Sequence, residues 1–355
     1  MSSRFTAIMI PIISIILGLI VGAIVMASTG FNPVDGYLAL WEGIFGDTYN
    51  MGETVRTIIP YVFAGLAVAF AFRTGMFNIG VEGQLIMGWL AAAYVGYAFN
   101  LPTGLHAVVA ILAAAVAGGL WAFIPGLLKA KLQVHEVIVT IMMNYIALHV
   151  VNAAISAMSN GGEKTPDIHD SARISSEFLS SITQYSRLHW GFIVAILAVI
   201  IMWFILEKTK TGYELKAVGF NKNASEYAGM NVSRNIIMAM VISGAFAGLG
   251  GAMEALGTFG NISRMTAFTG IGFDGIAVAL LGANQPFGVL LGAILFGGLK
   301  NGGTNMPSAA GIPDEIVTIV IALIIFFVAS GYIIQLALSK IAKNKAAKKT
   351  VKEEK

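Results

Sequence analysis

The chain has 355 residues, 57% of them hydrophobic and only 12% charged, with a mean hydropathy of +0.78 and a formal net charge of +3. A soluble domain carries about 25% charged residues, so these values exclude an ordinary soluble protein, and so small a charge leaves no basic footprint for a nucleic acid polymer. Cysteine is absent, which removes disulfide frameworks and thiol chemistry.

In chain order, apolar runs fall at 7–27, 57–72, 79–99, 105–127, 134–157, 190–206, 236–257, 271–283, 286–300 and 313–336. Several reach the roughly 17–25 residues needed to span a bilayer. Lipid forces backbone groups to be satisfied within a segment. The expected fold class is therefore an all-α polytopic membrane protein of about ten transmembrane or partly re-entrant helices. The first run exceeds the roughly 7–15-residue core of a cleaved signal peptide and reads as a retained span. Runs 271–283 and 286–300, joined at Asn284-Gln285-Pro286, are short for full crossings. The forty-one glycines suit close helix packing in lipid.

Between the first two runs, Asn32-Pro33-Val34-Asp35 has the order of a helix start: Asn as N-cap, Pro at the first position, Asp in the first turn. Val34, Leu38, Trp41 and Phe45 then share one face. Such a helix lies at the membrane interface or packs on its neighbours.

Lys and Arg set orientation. With both termini inside, the inside carries Arg4, Arg73, Lys129, Lys131, Lys208, Lys210, Lys216, Lys222, Arg234 and seven tail lysines, against Arg56, Lys164, Arg173, Arg187, Arg264 and Lys300 outside. This places the polar stretch 207–235 and a Lys-rich tail, 340–355, in the cytoplasm, and loops 28–56 and 158–189 outside. Residues 1–339 form the membrane domain.

Two short matches recur in order. Phe63-Ala64-Gly65-Leu66 returns as Phe246-Ala247-Gly248-Leu249, and Ile79-Gly80-Val81-Glu82-Gly83 as Ile271-Gly272-Phe273-Asp274-Gly275. The second run travels inward and the seventh outward, so the copies would be inverted, as in many transporters. Glu82 and Asp274 are carboxylates beside or inside apolar runs, where an acid is either functional or held by packing partners. Asn78, Gln84 and Asn144 add amides, with Asn152 and Glu254 as further polar groups inside spans. Phe77, Trp89 and Phe273 stack a planar ligand or anchor the packing.

Five histidines lack metal-ligand spacing, and neither a GxxxxGK[ST] phosphate loop nor a GxSxG elbow occurs. No metal site is expected, no cofactor is expected on this chain, and the chain reads as a non-enzyme; any ATP it uses is hydrolysed elsewhere. Within 207–235, Asn223-Ala224-Ser225-Glu226 has the form of a capping box and Gly229 is placed to stop the helix. A helix this short needs a packing partner. It is either a docking handle or a surface turn.

FRTGMFNIGVEGQ at 72–84, EVIVTIMMNYIA at 136–147, GYELKAVGFNKNASEYAGMNV at 212–232 and GFDGIAVALLG at 272–282 together resemble the permease subunits of ATP-binding-cassette importers, in the branch for simple sugars and nucleosides. The resemblance covers nearly the whole chain and is nearest to bacterial nucleoside-uptake permeases. It implies a multi-pass protein of the bacterial cell membrane and import of a nucleoside by alternating access, with a simple sugar such as a pentose as the alternative. It implies a cytoplasmic ATPase holding ATP and Mg, a second permease subunit in a heterodimer, and an extracytoplasmic substrate-binding lipoprotein. It also implies that Asn223, Ala224, Ser225, Glu226, Tyr227, Ala228 and Gly229 form a helix that docks on the ATPase. Phe77, Asn78, Glu82, Gln84, Asn144, Phe273 and Asp274 are candidates for the substrate pathway. The rival class is an ion-coupled secondary transporter using Glu82, Asp274 and Glu254 as proton relays.

Overall fold

The structure, a computed structural model, describes residues 3–330. The Lys-rich tail and the end of the last apolar run lie outside them. Every described element is helical: each of the ten apolar runs falls on a helix, and no strand forms among the described residues. The helices are α1 (Ser3–Ser28), α2 (Pro33–Phe45), α3 (Thr48–Arg73), α4 (Val81–Ala98), α5 (Leu105–Leu132), α6 (Glu136–Met158) and α7 (Glu177–Ile182). They continue as α8 (Gly191–Lys208), α9 (Lys210–Phe220), α10 (Lys222–Tyr227), α11 (Val232–Met253), α12 (Ile271–Leu281), α13 (Pro286–Gly303), α14 (Met306–Ala310) and α15 (Asp314–Ala329). Among the described residues, five helices are long and apolar enough to cross a membrane: α3, α5, α6, α8, and α11 with its π-helical extension Glu254–Phe259. The chain is an all-α polytopic membrane protein.

The described residues fall into two compact units. One comprises the chain up to Gly43 and from Gly302 on. Within it α1 packs on α15, where a Cβ on Gly18 would come within 2.5 Å of the Ile324 Cα. Asn32 caps α2 as expected: its Oδ1 accepts from the Val34 amide at 3.0 Å and its Nδ2 donates to Asp35 at 2.8 Å. Helix α2 buries Gly36, Ala39, Leu40 and Gly43, and leaves the Val34, Leu38, Trp41 and Phe45 face exposed.

The other unit, Ile44–Asn301, is built around α11, which packs on α3, α4 and α5. Small residues make these crossings possible. A Cβ on Gly248 would sit 2.1 Å from the Ala114 carbonyl oxygen, and one on Gly88 would sit 2.4 Å from the Gly248 Cα. Close backbone approach of this kind supplies the van der Waals contact that holds helices together in lipid.

The repeated Phe-Ala-Gly-Leu elements lie on α3 and α11, and these run antiparallel: Phe63 faces Gly250 while Ser243 bonds the Ala67 carbonyl. Helix α12 runs with α3, Gly275 meeting Ala64 and Val278 meeting Gly65, whereas α13 runs against it, Val289 beside Gly65 and Gly297 beside Ile58. The second elements of the repeat open α4 and α12. Each follows a non-helical stretch, 74–80 and 260–270.

Candidate functional site

The two helix breaks meet. A Cβ on Gly272 would lie 2.3 Å from the Glu82 amide nitrogen, so the first turns of α4 and α12 are in backbone contact. Non-helical backbone between spans exposes amides and carbonyls that lipid cannot satisfy. Here side chains satisfy them.

Glu82 is fully buried, and its carboxylate accepts from the Thr269 amide (2.7 Å), the Thr269 hydroxyl (2.6 Å), the Gly270 amide (3.1 Å) and the Gly272 amide (2.7 Å). An acid from the first break thus caps the helix that follows the second. The free amides of a helix start carry partial positive charge and favour an anion there.

Asn78, also fully buried, donates to Gln84 Oε1 (2.8 Å) and Ser243 Oγ (2.9 Å), and accepts from the Gly80 amide (3.0 Å) and Gln84 Nε2 (3.1 Å). Helix α6 straps both breaks. Asn144 accepts from the Gly83 amide (2.8 Å) and donates to the Ile79 carbonyl (3.0 Å). Two turns on, Asn152 accepts from the Met265 amide (2.9 Å) and donates to the Met265 carbonyl (2.8 Å). Asn78, Glu82, Gln84 and Asn144 are therefore brought together, with their hydrogen-bonding groups engaged by the protein itself.

Asp274 differs. Its carboxylate is 3.2 Å from Lys300 Nζ and 3.5 Å from the Tyr61 hydroxyl, and its side chain keeps 30% of its surface exposed. Lys300, counted among the outside charges, lies in the last turn of α13, beside Asp274. Phe273 is half-buried and meets Phe268 edge-on at 5.6 Å, and Phe268 meets Tyr145 at 5.0 Å. Phe77 stacks on Phe72 at 4.9 Å, away from this aromatic group.

The 158–189 loop clamps the second break. The Ile262 amide bonds Thr165 Oγ1, the Thr165 amide bonds the Ile262 carbonyl, and Asn261 donates to Asp167 at 2.7 Å. That last bond, aided by Lys164, holds the Asp167 carboxyl below its ordinary range. His189, at the loop's end, is fully buried; its Nδ1 accepts from the Gly191 amide at 3.1 Å. Burial, reinforced by the Arg56 charge, pushes its pKa down from 6.5 to about 4.

The 207–235 stretch holds two helices where one was expected. Helix α9 buries Gly212, Leu215 and Val218, a spacing of three hidden in a polar composition. Its presence moves the cap. Asn221 ends α9 in an extended conformation, and its side chain accepts from the Ala224 amide at 3.0 Å to start α10. Asn223 is therefore inside α10 rather than its N-cap, and Glu226 closes no capping box.

Gly229 does stop the helix, at φ +80°, with its amide bonding Glu226 and the next amide bonding Ser225. The stretch is pinned to the end of α3: a Cβ on Gly219 would come 2.7 Å from the Thr74 carbonyl carbon, and Glu207 bridges Arg73 (2.6 Å) and Lys216 (2.9 Å). Phe220 and Tyr227 stand 90% and 97% exposed. A groove of about 660 Å³ runs between α9 and α10, lined in part by Arg73, Lys216, Phe220 and Ala224.

Residues 50–329 match the family model described as branched-chain amino acid transport system / permease component. The chain is 59% identical to the guanosine ABC transporter permease protein NupP of Bacillus subtilis, over 98% of this chain and all of that one. It is 40% identical to the nucleoside ABC transporter permease protein NupB of Lactococcus lactis, over 99% of each. It is 33% identical to the glucose ABC transporter permease protein TsgB13 of Haloferax volcanii, over 89% of this chain and 86% of that one.

Proposed function

The chain belongs to the branched-chain amino acid transport system / permease component family, and on that premise we propose that it is the membrane-spanning permease subunit of an ATP-driven nucleoside importer. The observation that carries this reading is the meeting of two oppositely directed helix breaks, Glu82 against Gly272, in a chain whose relatives named above move guanosine and nucleosides. Broken helices that begin inside the membrane are where transporters hold solutes.

In this reading the two sets of candidates divide. Asn78, Glu82, Gln84 and Asn144 keep the breaks in shape, while Asp274 and Phe273, which retain exposed surface, line the pathway. A second permease, a different chain, covers the exposed polar face of the breaks. The excess of Lys and Arg supports a cytoplasmic position for 207–235 and for both termini, in the bacterial cell membrane.

The exposed aromatics Phe220 and Tyr227 then face the cytoplasmic ATPase, which carries ATP and Mg. The groove between α9 and α10 receives part of that partner. An extracytoplasmic lipoprotein delivers substrate to the 28–56 and 158–189 loops. The pin between Gly219 and Thr74 transmits the ATPase movement to α3 and thence to Asp274.

The glucose relative makes a simple sugar the second reading. A proton relay loses two of its three acids, since Glu82 is saturated by four donors and Asp274 is paired with a lysine, and it rests on buried Glu254 alone. The test is uptake of labelled guanosine by cells with and without this chain. Chain-dependent uptake that excess uridine or adenosine reduces and excess glucose or ribose leaves unchanged supports a nucleoside importer; the reverse competition pattern rejects it for the sugar reading.

A further inference from the structure

Lys300 lies on the packed side of α13. At ~100° per residue, the buried residues Val289, Ala293 and Phe296 share its face, and Leu291, 69% exposed, is on the opposite side. A side chain on the packed side of a membrane helix is ordinarily enclosed. Lys300 nevertheless keeps 36% of its side-chain surface exposed, and its partner Asp274 keeps 30%.

Nor does Lys300 reach outward to headgroups, the usual escape for a lysine near a helix end. Its Nζ turns back along α13, 5.6 Å from the Phe296 ring, toward Asp274 and the hydroxyl of Tyr61. Tyr61 sits at the middle of α3, a helix long enough to cross the membrane.

The fold explains the opening. Helix α12 begins only at Ile271, beside Glu82, and runs alongside the second half of α3. Beside the first half of α3 lie instead Gly297 and Asn301 of α13 and Ser186 of the 158–189 loop, against Ile58, Thr54 and Gly52. An exposed ion pair at membrane depth is tolerated where it lines water or protein, not lipid.

We propose that the half-length of α12 leaves a water-filled vestibule whose floor is the Lys300–Asp274 pair, and that Lys300 is a substrate-contacting residue that reads acceptor groups of the solute. Asp274 uses one of the three Lys300 donors and fixes the direction of the ammonium; the others face the vestibule. Base carbonyls, ring nitrogens and ribose oxygens of a nucleoside are such acceptors, and the Tyr61 and Phe296 rings, 4.9 Å apart, stiffen the wall behind the pair. This inference rests on the nucleoside reading for the identity of the solute, though not for the existence of the vestibule.

The chain has no native cysteine, so single substitutions report directly. Lys300→Cys and Leu291→Cys are placed in the complete transporter in membranes and treated from outside with a charged, impermeant thiol reagent, alone or with guanosine or glucose. Thr57→Cys, half-buried one turn from Tyr61, serves as a second vestibule reporter should Lys300→Cys not assemble. The expected result is modification of the vestibule reporter at least about tenfold faster than Leu291→Cys, in keeping with exclusion of a charge from hydrocarbon, and slowing by guanosine.

Reaction no faster than at Leu291→Cys overturns the vestibule. Fast reaction that neither solute slows overturns substrate contact. Fast reaction slowed by glucose and not by guanosine upholds the site and rejects the nucleoside reading. Lys300→Arg retaining uptake while Lys300→Met loses it, at equal membrane levels, supports contact through charge; equal uptake by both rejects it.

Discussion

Glu82 of α4 holds the amide of Gly272 at 2.7 Å, joining through one carboxylate two helices that start 190 residues apart in the chain. Three further donors from Thr269 and Gly270 complete the set. The bond makes each helix break depend on the other: the acid of the first repeat element caps the helix of the second.

Glu82→Gln should therefore break the junction. One oxygen becomes an NH₂ that faces an N–H it cannot accept, and a buried donor is left without a partner. The loss is expected to be about 3 kcal/mol, the scale of a charge-assisted bond plus an unsatisfied amide. Thermal unfolding of the purified complex in detergent should show a lower midpoint, with uptake lost. An unchanged midpoint would mean that the α12 start is held by packing alone.

Gly248 sits where α11, α5 and α4 converge, with room for no side chain. Gly248→Val should push Ala114 and Gly88 apart and prevent accumulation of folded chain, seen as loss of the monodisperse peak in size-exclusion chromatography of a detergent extract. Gly311→Ala is a useful contrast: nothing crowds that position, and its strain comes only from φ +65°. Its cost should stay near 1 kcal/mol, leaving the peak intact.

The exposed aromatics of the 207–235 stretch should matter only to the ATPase. The double substitution Phe220→Asp and Tyr227→Asp removes apolar surface that stands almost wholly exposed. It should leave membrane insertion and thermal stability of the permease unchanged while abolishing co-purification of the ATPase. Glu226→Pro, or a bulky residue at Ala224, should abolish uptake in the same way, since both act on α10 or the groove it lines. Undiminished co-purification by the double variant would move the docking surface elsewhere.

His189 makes stability depend on pH. Its folded pKa of about 4 lies below the 6.5 of an unfolded histidine, so the unfolded chain binds the proton more readily. The stabilisation is full above pH 6.5 and falls as pH drops toward 4, by about 3 kcal/mol at most. Unfolding midpoints measured from pH 7.5 to 5 should decline in the parent, and decline less in His189→Gln. Parallel declines would assign the effect to other groups.

Much of this architecture can be read from residue patterns. Apolar runs located the helices, Asn32-Pro33 started α2, Gly229 ended α10, and two four- and five-residue matches pointed to inverted halves. What stayed hidden has physical reasons. The donors to Glu82 are mostly backbone amides, which carry no sequence signature.

Helix α9 is too polar to show as a run, and its buried face is only Gly212, Leu215 and Val218, so the sequence pattern puts the cap at Asn223, two residues past Asn221. Lys300 ends an apolar run, and nothing in the sequence shows that Asp274 lies beside it. The roles of Asn144 and Asn152 as straps for separate breaks required seeing that both lie on α6, two turns apart.

The most direct test is reconstitution. Proteoliposomes holding this chain with its second permease, the ATPase and the substrate-binding lipoprotein should accumulate labelled guanosine only when ATP and Mg reach the ATPase, and a pH gradient alone should drive none. Guanosine accumulation driven by the gradient without ATP would contradict an ATP-driven permease and return the buried carboxylates to the role of proton relays.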